Sequence, residues 1–227
     1  MTQVELDHIL KQHRLWLKSA GTEGEKADLR GADLRGAVLQ DAKLQGADLR
    51  GANLQDVNLR GANLQGASLR ITNLRVTNLR GADLRDAYLG GASLRGANLQ
   101  DVNLSYAKLR GTNLRGAVLQ NANLWNANLW NANLWNANLQ HANLLGANLQ
   151  DVRLQHANLR YADLKVANLR GANLKGANLE DVKFDINIRD CGSFNLAKFS
   201  SDALPWLILH PKWAELKDSV QIHEAAA

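Results

Sequence analysis

The chain has 227 residues, with 27 Lys and Arg against 22 Asp and Glu, and a single cysteine. Lone Cys191 excludes an internal disulfide framework and any multi-cysteine zinc site, and it suits a cytoplasmic location. No apolar run approaches a membrane span and no cleavable signal pattern opens the sequence, while residues 26–200 carry 22 basic and 14 acidic side chains, a surplus that favours acidic partners.

Residues 1–25 form the first unit. Thr2 and Glu5 have the spacing of a capping box, and Leu6, Ile9, Leu10, His13, Trp16 and Leu17 then fall on one helical stripe. Gly21 suits the helix stop. This predicts a helix whose apolar face lies on the next unit, with His13 as a packed residue of that face.

From residue 26 to 200 the chain is a repeat. Leucine recurs at every fifth position from Leu29 to Leu179, and Phe184 takes the next slot, giving 32 consecutive matches. Two residues earlier stands a small residue, nearly always Ala, with Val at 57, 102, 152 and 182 and Thr at 72, 77 and 112. A period of five is neither helical nor that of a plain strand, so it marks a repeat architecture. Alternation along a short extended segment points the leucine and the small residue inward and the Asn or Asp between them outward. The next two residues form a corner. Gly31, Gly36, Gly51, Gly96 and Gly171 are corner glycines of the kind a type II turn favours. By the same rule Ile71, Val76 and Val166, at equivalent positions, are expected in a different turn type without positive φ. Periodicity alone leaves the number of sides open. After one broken word, Ile186 to Asp190, Phe194 and Phe199 keep the register.

The tandem words, such as ADLRG, ANLQD and ANLWN, resemble those of the pentapeptide repeat proteins. That resemblance implies an all-β fold: a right-handed quadrilateral parallel β-helix, here of about nine coils with short α-helical caps at both ends. The stretch LDHILKQHRLWLKSAGTEGEKADL is similar to a leader segment ahead of many bacterial pentapeptide arrays, which supports the N-terminal cap. Residues 201–227 form the last unit. Pro205, Trp206, Leu207, Ile208 and Leu209 cluster there, Pro211 opens an expected helix over Lys212 to Ser219, and Trp206 and Trp213 are expected over the last coil. If they lie elsewhere, that end is a surface for an end-to-end dimer; otherwise the protein is a monomer.

The sequence offers no chemistry of catalysis. His8, His13, His141, His156, His210 and His223 lack metal-ligand spacing, the glycines recur as corners rather than as a phosphate loop, and the carboxylates are scattered. We therefore read no enzyme, cofactor or metal site.

Function is sought on the surface. With four sides, residues 20 apart stack, and two adjacent sides carry a basic stripe: Arg30, Arg50, Arg70 and Arg110 on one, Arg35, Arg75, Arg95 and Arg115 on the other. Trp125, Trp130 and Trp135 form a belt on three successive sides, each expected to stack on an arginine below, Arg85, Arg110 or Arg115. The leading expectation is a rigid rod that presents side-chain ladders to a protein partner. The alternative is nucleic acid or another anionic surface held by the arginine stripe. Some family members protect DNA gyrase by imitating DNA with an acidic rod. Here the rod is basic and the array has no inserted loop, two departures from that pattern.

Overall fold

A computed structural model describes residues 1–183, 197–200, 218 and 220–223. Phe184, the broken word Ile186 to Asp190, Cys191, Phe194 and the 205–217 part of the expected C-terminal cap lie outside the described residues.

Each word contributes one side of a four-sided coil. Parallel bridges join residues 20 apart, from Asp28 with Asp48 through to Asp163 with Lys183. Most sides are too short for more than a single bridge, because a corner interrupts the ladder on either hand. Near the end the ladder lengthens into a three-stranded parallel sheet of β1 (Asn178–Leu179), β2 (Lys198–Ser200) and β3 (Gln221–His223). Leu179 pairs with Phe199, so the 20-residue register survives the broken word. Phe199 pairs in turn with Ile222, which adds a strand in the region where a helical cap was expected.

The word around Leu54 shows why the repeat is self-consistent. Ala52 N–H donates to the Leu49 carbonyl, Asn53 to Ala32, Leu54 to Asn73 and Asp56 to Arg75, at 2.8–3.0 Å. The remaining N–H, of Gln55, donates to the Asn53 side-chain oxygen at 3.3 Å. All five backbone donors are thereby satisfied, the last only because Asn stands two residues earlier. Asn side chains also bond between coils, as from Asn73 to Asn53 (2.9 Å) and Asn143 to Asn123 (3.3 Å). The outward Asn is thus part of the wall rather than only its solvated cover.

Inside, leucines from Leu29 to Leu179 are buried throughout, together with nearly all of their small partners. Each buried leucine contributes about 2 kcal/mol. Thr72, Thr77 and Thr112 are tolerated in this dry interior because each hydroxyl donates to a carbonyl of the coil before, those of Leu49, Leu54 and Leu89, at 2.9–3.1 Å.

Every corner from Gly31 to Asp181 has positive φ at its second residue, and this includes Ile71 (59°), Val76 (57°) and Val166 (58°). The expectation of a different turn for these three is wrong. At Ile71 and Val76 the N–H must reach the same inter-coil carbonyl as a glycine would: Ile71 donates to Gly90 (3.1 Å) and Val76 to Arg95 (3.0 Å). Stacking above and below fixes the turn, and the β-branched residue bears the strain, on the order of 1–2 kcal/mol. We predict that Ile71→Asn and Val76→Asn each stabilise the fold by about 1 kcal/mol, since asparagine tolerates this conformation. Thermal melts check this, and unchanged or lowered midpoints would refute it.

At the N-terminus, α1 (Gln3–Lys18) has the capping box of Thr2 and Glu5. Its C-terminus closes with Ala20 at φ 54° and Gly21 N–H donating to the Trp16 carbonyl at 2.8 Å. Leu6 and His13 are buried, with Ile9 and Leu10 packed beside them on the first coil. His13 Nδ1 accepts the N–H of Ala27 at 3.1 Å. In later words that donor is taken by the leucine three residues before, but position 24 is glycine. His13 therefore closes the first open backbone group of the array, and its ring stacks on Trp16.

Burial holds the His13 pKa below the ordinary value, opposed by the Gln45 backbone and aided by the Lys26 charge. Below pH about 6.5 the unfolded chain takes up the proton and the folded chain resists it, so stability falls as pH drops toward the depressed pKa. Above that range the contribution is complete. We expect the protection of amides in α1 and at Ala27, relative to their intrinsic exchange rates, to fall as pH drops below about 6.5, and His13→Phe to flatten that dependence. An identical pH profile in both proteins would contradict the role given to His13.

Candidate interaction surface

The predicted basic stripe divides into two kinds of arginine, and the residue two positions earlier decides which. In words reading Asp-Leu-Arg the guanidinium folds back on its own aspartate. Arg35 meets Asp33, Arg50 meets Asp48 and Arg85 meets Asp83, each at 2.6 Å, and Arg30 pairs with Asp28 in the same way. Hydrogen bonds from Arg30 and Arg35 hold the Asp28 and Asp33 carboxyls at pKa about 2. Burial pushes Asp83 up, yet the bonds from Arg85 leave it lowered. The N-terminal part of the stripe is therefore locally compensated. These pairs are solvent-exposed and weak in energy, but they remove free positive charge.

Arg70, Arg75, Arg95, Arg110 and Arg115 have Ser, Asn or Lys two residues earlier, and they make no ion pair among the described residues. All five are exposed on two adjacent sides. The corners bordering them carry Ile71, Gly91 and Gly111 on one edge and Val76, Gly96 and Gly116 on the other, with no carboxylate. Ile71 and Val76 are 75% and 58% exposed, so two strained apolar side chains stand beside uncompensated cations.

The tryptophan belt is only partly as expected. Arg110 lies over the Trp130 ring at 3.8 Å and Arg115 over Trp135 at 4.1 Å. Trp130 is half-buried and donates its indole N–H to Asp151 at 3.2 Å. Trp125 does not stack on Arg85. The residue one coil below it is Ser105, Arg85 lies a coil further and is held by Asp83, and Trp125 instead meets Tyr106 edge-on at 4.9 Å. The belt therefore holds two arginines of the patch in place and contributes an aromatic pair on a different side.

Elsewhere among the described residues the histidines lie apart from one another. His141 stacks on Tyr161 at one corner and His156 approaches Trp135 at another. Among the described residues no group of three or more His, Cys, Asp or Glu is placed to hold a metal, and no helix is long and apolar enough to cross a membrane.

Comparison with known proteins places this arrangement. The family model of pentapeptide repeats matches in eight copies over residues 25–56, 52–91, 77–116, 117–155 and 147–185. Among solved structures the chain is similar to HetL, a pentapeptide repeat protein involved in heterocyst differentiation regulation from the cyanobacterium Nostoc sp. strain PCC 7120. Identity there is 29%, covering 81% of this chain and 92% of HetL, with a TM-score of 0.46. It is also similar to QnrB1, a plasmid-mediated fluoroquinolone resistance protein, at 18% identity over 84% of this chain and 92% of QnrB1, TM-score 0.41. A pentapeptide repeat protein from the Arabidopsis thaliana thylakoid lumen is 30% identical over 55% of this chain and 69% of its own, TM-score 0.33. No curated protein matches the chain. With the family model spanning most of the sequence and a coil of four five-residue sides, the chain belongs to the pentapeptide repeat family and folds as its right-handed quadrilateral β-helix.

Proposed function

We propose that this protein is a non-enzymatic interaction rod whose two sides bearing Arg70, Arg75, Arg95, Arg110 and Arg115 dock an acidic surface of a protein partner. One observation carries the reading: among the described residues these arginines have no counter-ion while their equivalents in Asp-Leu-Arg words are neutralised, and exposed Ile71 and Val76 flank them. Arginine beside apolar and aromatic groups is the composition of a protein interface core. Backbone strain left at an exposed position also points toward a use outside the fold.

The second reading, nucleic acid along the stripe, has support in the arginine–tryptophan stacks. Pairing of Arg30, Arg35 and Arg50 shortens the free stripe to the middle of the rod, which suits a local contact better than a long polyanion. Charge reversal on the two sides tests the proposal, with an acidic peptide and a single-stranded oligonucleotide as probes. Tighter and steeply salt-dependent binding of the oligonucleotide would favour the second reading.

A further inference from the structure

Gly90 interrupts the column Arg70, Gly90, Arg110, Trp130. Among the described glycines it alone lacks positive φ, and a Cβ built there would meet nothing nearer than the Arg110 carbonyl at 3.7 Å. The backbone therefore does not require glycine here; what glycine provides is a missing rung. The result is a surface hollow of about 410 Å³, lined by Arg70, Tyr88, Lys108, Arg110 and Trp130 as well as Gly90.

Two features define what would fill it. Arg70 and Arg110 are two coils apart, so their columns leave a gap of about 9.6 Å at ~4.8 Å per coil. A planar ring in the empty rung would lie about one spacing from each guanidinium, continuing the stack that Arg110 already makes with Trp130 at 3.8 Å. The second feature is a surplus of donors. The N–H groups of Arg50 and Trp130 in this column are taken by the side chains of Asp48 and Asn128. At Arg70, Gly90 and Arg110 the residues two before are Ser68, Tyr88 and Lys108, and among the described residues no side-chain acceptor takes those N–H groups. The hollow thus combines outward backbone donors, three cations and an exposed tyrosine ring, with no carboxylate in its lining.

We propose that the Gly90 hollow is the anchor point for an acidic protein partner, taking one aromatic side chain in the empty rung and an adjacent carboxylate on Lys108 and the Gly90 N–H. This rests on the docking of an acidic protein by the arginine sides and names the contact that gives it specificity. Arg110 is held flat by Trp130, whose own N–H is fixed by Asp151, so the upper wall is ordered before the partner arrives.

The test uses the full chain and a short peptide of aspartates and glutamates around one central tryptophan, with the same peptide bearing alanine in that place. Fluorescence anisotropy near physiological salt should show the tryptophan peptide binding about tenfold tighter than the alanine peptide. Gly90→Gln fills the rung with a residue type already present at Gln150 of the same column and should remove that tenfold advantage. Tyr88→Ser, which places there the residue found at Ser68, should reduce it as well. Equal binding of both peptides, lost on reversing Arg75 and Arg95, would overturn the hollow while leaving the arginine sides as the docking surface. Binding of neither peptide to the unaltered protein would overturn both. Oligothymidylate binding that is tighter than the peptide and sensitive to Gly90→Gln would assign the hollow to a nucleobase and overturn the protein partner.

Discussion

Ala127→Leu should destabilise the fold by about 1–3 kcal/mol, the usual cost of forcing extra methylenes into a filled core. Ala127 is fully buried, and its column, Ala27, Ala47, Ala67, Ala87, Ala107, Ala127, Ala147 and Ala167, contains nothing larger than alanine. The other three small-residue columns accept Val or Thr, as at Val57, Thr72 and Val102, so this is the side with the least tolerance. The inserted side chain would push against leucines already in contact, and the coils above and below share the same spacing. In a stacked array a displaced coil also weakens both neighbouring interfaces. Trp130→Ala is the comparison. It removes a stack with Arg110 and a bond to Asp151 at the surface, together worth about 1 kcal/mol. Denaturant melts should separate the two variants clearly. Equal losses would mean that the belt is buried by another chain.

Reversing Arg70, Arg75 and Arg95 to Glu should abolish binding of the acidic probe, a loss of tenfold or more in affinity expected where desolvated charge pairs are replaced by repulsion. The comparison must change net charge equally without breaking an existing pair. Arg80, Arg85 and Arg160 are unsuitable because each already serves a carboxylate: Asp101, Asp83 and the pair Glu180 and Asp181. Lys43, Arg60 and Lys165 lie on the other two sides and make no ion pair among the described residues, and their reversal should leave binding within about twofold. Both triple variants should melt like the parent, since these side chains leave the core and corners untouched. Equal loss in the two sets would reduce the arginine sides to nonspecific attraction by a basic protein.

The repeat itself is unusually legible because its signal is redundant. Leu29 to Leu179 and the small residues before them state which groups face inward, and the capping box with the stripe from Leu6 to Leu17 states where the helix begins and what it covers. These are local pattern effects, repeated until no other arrangement buries the same apolar surface. The Asp-Leu-Arg pairing is equally present in the sequence, at a separation of two along one side, but a count of charge along the stripe does not reveal it.

What only the stacked coils decided is of another kind. Ile71, Val76 and Val166 adopt a backbone conformation that their own preferences oppose; at Ile71 and Val76, bonds to the next coil and the burial of flanking leucines outweigh a strain on the order of 1–2 kcal/mol. Trp125 meets Tyr106 rather than an arginine, since its partner is set by which side chain stands one coil below and which neighbour is free. In the five-residue register Gly90 directly follows a leucine, where other words carry Arg, Gln or Trp, and so is set apart from the corner glycines by sequence. Its lack of positive φ, and the hollow between Arg70 and Arg110, exist only once residues 20 apart are brought to adjacent rungs. Periodicity determined the core, which depends on residue type at fixed spacing; the surface depends on which unlike residues the coil places side by side.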